Sequence, residues 1–66
     1  MGAYTGVVKF YNREKGFGFI KVDGASEDLF VHQTGLIDDI RENDQVTFDQ
    51  ERGKKGMNAV NVRLIG

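Results

Sequence analysis

Runs rich in Val, Ile, Phe and Tyr recur five times along this chain, and each is cut off by Gly, Asn or Asp too soon to make a useful helix. They lie at about Tyr4–Asn12, Phe17–Val22, Asp28–His32, Gln45–Glu51 and Met57–Ile65, and predict five short strands. Asp23-Gly24, Lys15-Gly16 and Arg52-Gly53 supply turn chemistry, and Lys54-Lys55-Gly56 a basic loop before the last run. Gln33–Leu36 fits one helical turn, and Leu36-Ile37-Asp38-Asp39-Ile40 a loop pinned by its aliphatic side chains. No linker composition or internal repeat divides the chain, which reads as one domain over residues 1–66. Sixty-six residues bury only about 60% of the surface of the unfolded chain. Five antiparallel strands in so small a unit are expected to close into an all-β barrel, OB-like or SH3-like, because closure removes exposed edges.

The chemistry open to such a barrel is narrow. There is no cysteine and one histidine, His32, which removes zinc fingers, disulfide scaffolds and thiol chemistry, and no cofactor is expected. The one serine, Ser26, and His32 share a single short segment, which argues against a catalytic triad and against an enzyme. The longest apolar run is Leu29-Phe30-Val31, too short for a membrane span or a secretory signal, so a cytoplasmic protein is expected; a monomer is expected as well. Net charge is −1, yet residues 1–21 carry +3, residues 22–51 carry −8 and residues 52–66 carry +4. Two basic ends flank an acidic middle.

Side chains alternate across a strand, so parity sorts each run into two faces. In the second run Lys15, Phe17, Phe19 and Lys21 share one face, against Gly18, Ile20 and Val22. In the third, Asp28, Phe30 and His32 oppose Leu29 and Val31. If the uncharged face is the core, Phe17, Phe19 and Phe30 stand outside among lysines. In the fourth run Val46 and Phe48 face away from Gln45, Thr47 and Asp49, which makes Phe48 a core residue, and in the fifth Val60, Val62 and Leu64 oppose Ala59, Asn61 and Arg63. The first run is apolar on both faces and does not sort. The competing arrangement buries Phe17, Phe19 and Phe30 and leaves the lysines as strand-end charges. Against it stands energy: each exposed phenylalanine forgoes roughly 1.5–3 kcal/mol, against about 5–15 kcal/mol of stability for a whole domain. Rings left in water need a use, and aromatic faces flanked by lysines suit single-stranded nucleic acid, whose bases stack while cations follow the phosphates. A peptide-binding barrel of SH3-like kind is the alternative.

Lys15-Gly16-Phe17-Gly18-Phe19-Ile20-Lys21-Val22 nearly matches the RNP1 pattern of RNA-recognition modules. Only fourteen residues precede it, too few for the strand, helix and strand that come first in such a module. Together with Gly6-Val7-Val8-Lys9-Phe10-Tyr11-Asn12, Asp28-Leu29-Phe30-Val31-His32 and Gly53-Lys54-Lys55-Gly56-Met57-Asn58-Ala59-Val60-Asn61-Val62, it resembles the cold-shock domain family, the single-domain bacterial cold-shock proteins in particular. The resemblance spans essentially the whole chain. It implies a five-stranded antiparallel OB-fold barrel that binds single-stranded RNA and DNA, pyrimidine-rich stretches among them, and acts as an ATP-independent RNA chaperone. Carried over by position, it makes Phe17, Phe19 and Phe30 the central stacking rings, His32 a residue that stacks on or bonds a base, and Lys9 and Lys15 backbone and base contacts. Asp28 becomes a polar base contact and Lys55 a basic position beside the face. Phe10 stands where the family often has tryptophan, and Gln33 replaces a common aromatic. The short connection from Thr34 to Asp44 lacks an aromatic, and Met57 replaces a frequent proline. These departures imply fewer stacking sites and weaker binding than the family's best. Gly18 is expected to keep the outer surface low between two rings, and Tyr11 is open between core edge and binding rim.

Overall fold

A computed structural model of the chain describes residues 4–53 and 56–65. Five strands form, β1 (Tyr4–Asn12), β2 (Phe17–Val22), β3 (Asp28–His32), β4 (Gln45–Gly53) and β5 (Gly56–Leu64). A 3₁₀ turn, Gln33–Gly35, follows β3, as the sequence predicts. The strands close in the order β1-β2-β3-β5-β4. All neighbours run antiparallel except β3 and β5, which are parallel. That corrects the expectation of a wholly antiparallel barrel, and the reason is topological. Directions cannot alternate all the way round a closed ring with an odd number of strands, so one seam must be parallel. It falls where β3 and β5 meet and holds only two register pairs, Phe30 with Asn58 and Val31 with Ala59.

The core consists of Val8, Ile20, Leu29, Val31, Ile40, Val46, Phe48, Ala59 and Val62. Parity therefore reads β2, β3 and the first half of β4 correctly. Ile40 and the partly buried Leu36 pin the loop as expected, whereas Ile37 is left half exposed.

Two bulges account for the strands that parity misreads. In β1, Val8 pairs with Ile20 but Phe10 pairs with Phe19, so Lys9 has no partner on β2. The extra residue reverses the faces: Val8 points in before it, and Phe10 points out beyond it. In β5, Arg63 pairs with Thr47 but Val60 with Asp49. The surplus falls around Asn61, which takes a positive φ of 52°, a conformation asparagine tolerates better than most residues. Core residues therefore shift from the expected Val60, Val62 and Leu64 to Ala59 and Val62, while Val60 is half-buried and Leu64 exposed.

Gly18 takes the inward face that parity gives it, but not the role expected of it between the rings. It is buried on the core side, opposite Tyr11 and Val31. A Cβ there would run into the Phe10 carbonyl oxygen and lie 2.7 Å from Tyr11 Cδ1. Its role is to let β1 pass close to β2, not to lower the outer face. Gly18→Ala is expected to destabilise the domain by about 1–3 kcal/mol, the usual range for overpacking, read as a lower urea midpoint with an unchanged m-value.

Candidate nucleic-acid interface

Register brings the outward residues of separate strands into rows. Phe10 pairs with Phe19, and Phe19 with Phe30, so three rings from β1, β2 and β3 lie side by side. A second row sets Asn12, Phe17 and His32 together. Between the rows the rings touch in a chain. Phe10 to Phe17 is 6.2 Å between centroids, tilted at 58°. Phe17 and Phe30 are stacked at 6.1 Å and 20°, and Phe30 meets Phe19 edge-on at 5.9 Å and 72°. Phe10 and Phe19 are exposed, at 42% and 38%, and the two middle rings are half-buried. Offset and edge contacts of this kind hold the rings in place while leaving their outer faces open.

The bulge at Lys9 matters here a second time. It turns Phe10 outward to join the row, and the Lys9 ammonium reaches across β2 to the Asp28 carboxylate at 3.1 Å. Both groups are solvent-accessible, so the pair is weak, and a phosphate can take over the lysine. On the turn between β1 and β2, the exposed Lys15 donates its backbone N–H to Asn12 Oδ1 at 3.0 Å. Gly16 follows with a φ of 75°. Gln33 donates its backbone N–H to the Gly16 carbonyl at 2.8 Å, and a Cβ on Gly16 would lie 2.6 Å from Gln33 Cδ. Gln33 thus packs over the turn that presents Lys15 and Phe17.

His32 ends the second row. The Thr34 backbone N–H donates to His32 Nδ1 at 3.2 Å, and Thr34 Oγ1 lies 3.0 Å from the same nitrogen. The neutral imidazole therefore carries its proton on Nε2, a donor.

The structure accordingly gathers Lys9, Phe10, Phe17, Phe19, Asp28, Phe30 and His32 on one outer face, with Lys15 and Gln33 at its edge. Lys55 lies outside the described residues. Tyr11 resolves to the core side, packed against the buried cluster, where burial first and the Asp39 carboxylate second push its phenol above the ordinary value. Asn58 and Glu51 were not singled out from sequence. Asn58 pairs with Phe30 across the parallel seam and with Glu51 on β4, which extends the ring row by two polar residues. Only the register of that seam reveals them. Among the described residues no three metal-ligating side chains come together, and no helix is long and apolar enough to cross a membrane.

The family model described as the 'Cold-shock' DNA-binding domain matches residues 4–65. The chain belongs to the cold-shock domain family. Cold shock-like protein CspG of Shewanella violacea is 45% identical over 88% of this chain and 89% of its own length. Cold shock-like protein CspJ of Salmonella typhi is 48% identical over the same shares, and cold shock-like protein CspA of Stigmatella aurantiaca is 46% identical over 92% and 96%. Among solved structures, the Drosophila Unr fragment CSD456 superposes with a TM-score of 0.81 over 96% of this chain and 26% of that longer one, at 24% identity. That likeness speaks to the barrel. Membership of the cold-shock domain family supports nucleic-acid binding, and the ring face is where this cold-shock domain carries the matching chemistry.

Proposed function

We propose that this protein binds single-stranded RNA and DNA on the ring face and acts as an RNA chaperone without ATP. The observation that carries the reading is the contiguous, solvent-facing chain of Phe10, Phe17, Phe30 and Phe19, flanked by Lys9 and Lys15. Bases freed by thermal breathing of a weak helix stack on the rings at about 1–3 kcal/mol each, and the lysines follow the phosphates. Stacking is sequence-tolerant, so the face holds many strands and releases them quickly. Lys9, Lys15, His32, Asp28 and Gln33 are assigned to phosphate and base-edge contacts around the rings, and Lys55 to the adjoining loop. The protein works as a monomer in this reading, because the face is complete within one chain.

The test is titration of a labelled thymine- or uracil-rich strand at two salt concentrations. Three lysine contacts give a slope of roughly −2 in log affinity against log salt, so affinity falls about 20-fold between 50 and 200 mM. The duplex of the same sequence binds far more weakly, since its bases cannot reach the rings. An RNA hairpin labelled at its ends should open on adding the protein without ATP. Failure to bind any single strand, with capture of a proline-rich peptide instead, would overturn the proposal.

A further inference from the structure

Beyond Phe30 the ring row runs into a polar groove of about 370 Å³, lined among others by His32, Thr34, Glu51, Asn58 and Asn61. We infer that this groove is a base-selecting subsite in which the Glu51 carboxylate favours bases bearing an exocyclic amino group over thymine and uracil. The inference rests on the single-strand reading above and adds a specificity to it.

Position comes first. Asn58 is directly beside Phe30, and Glu51 directly beside Asn58. Two strand spacings of about 4.8 Å separate Phe30 from Glu51, so a base leaving the last ring enters the groove with its edge toward β4. His32, which ends the second row of the face, also lines the groove, so the two surfaces are continuous.

Chemistry comes second. An ionised carboxylate only accepts hydrogen bonds, and Glu51 is exposed, with no ion pair or hydrogen bond among the described residues. Cytosine and adenine offer it an amino group, and guanine offers adjacent N1–H and N2–H donors that can meet both oxygens. Thymine and uracil offer one N3–H flanked on both sides by carbonyl oxygens, so a carboxylate that takes the N–H meets like partial charge at its second oxygen. Acidic side chains read the cytosine amino group in duplex DNA for the same reason. The Asn58 amide, which can donate or accept, serves the remaining edge of whichever base enters.

The test uses thymine hexanucleotides in which a single position is replaced in turn by dC, dA or dG, titrated against the full chain and against Glu51→Gln. The neutral amide accepts from an amino group and also donates to a carbonyl, so it removes the bias without removing the side chain. For the unaltered protein, the best-placed amino-bearing base is expected to raise affinity about tenfold over the all-thymine strand, the size of one good base-edge contact. Glu51→Gln should compress that ratio to about twofold or less while binding all-thymine strands at least as well. The Asn58 side-chain amide resonances should move further with the amino-bearing strands than with the all-thymine one, and Glu51→Gln should remove that difference. Identical base ratios for the two proteins overturn the groove assignment and leave the ring face standing. Absence of binding to every strand overturns both.

Discussion

Phe17→Ala and Phe30→Ala are each expected to weaken binding of a thymine-rich single strand by about 5- to 150-fold, and the double variant to bind below detection. The range is the stacking contribution of one ring, about 1–3 kcal/mol, converted at 1.4 kcal/mol per tenfold change. These two rings form the middle of the chain of contacts, so each truncation breaks two ring pairs at about 0.5–1.5 kcal/mol apiece. Some stability goes with the binding. Phe10 and Phe19 at the ends are more exposed and take part in one ring pair each, which makes Phe19→Ala the clean control: weaker binding with a thermal midpoint near that of the unaltered protein. Circular dichroism melts and titrations on the same samples separate the two effects. If every ring variant binds in proportion to its folded fraction alone, the rings are structural and the stacking surface is not there.

How much of this face was legible depended on where the strands are regular. β2 and β3 pair without a register shift, and simple alternation there assigned Phe17, Phe19 and Phe30 outward and Gly18, Ile20, Leu29 and Val31 inward. β1 and β5 each carry a surplus residue, and one extra residue reverses every later side chain. Val60 was consequently assigned to the core in place of Ala59, and Phe10 could be placed only by resemblance to the family. Lys9 does not announce a bulge by residue type, and Asn61 does so only weakly, through asparagine's tolerance of a positive φ. The polar end of the ring row was hidden for a different reason. Asn58 meets Phe30 only after the connection across residues 36–44 has carried the chain to the far side of β1 and the β4–β5 hairpin has closed the ring. Local pattern holds no record of that long-range pairing.

The same residue type has opposite consequences on the two sides of the sheet, and Phe48→Ala is expected to show it. Phe48 is wholly buried, packed among Val46, Val62 and Ile40 in the core cluster and stacked against the Tyr4 ring at 6.1 Å and 20°. Truncating a buried phenylalanine costs about 3–5 kcal/mol, because the cavity adds to the lost transfer energy. A domain this small lies toward the low end of the roughly 5–15 kcal/mol available to folded proteins, so Phe48→Ala should be largely unfolded at 25 °C. Phe48→Leu, which refills most of the volume, should fold with a lowered thermal midpoint. Ligand linkage then separates core from face: a saturating single strand stabilises any variant whose ring face is intact by RT ln(1 + [L]/Kd). The strand should therefore raise the midpoint of Phe48→Leu as much as that of the unaltered protein, and raise that of Phe17→Ala or Phe30→Ala by less, the shortfall being the roughly 1–3 kcal/mol of stacking that each variant loses. The reverse outcome, with the strand stabilising the ring variants and not Phe48→Leu, would place the binding surface elsewhere on the barrel.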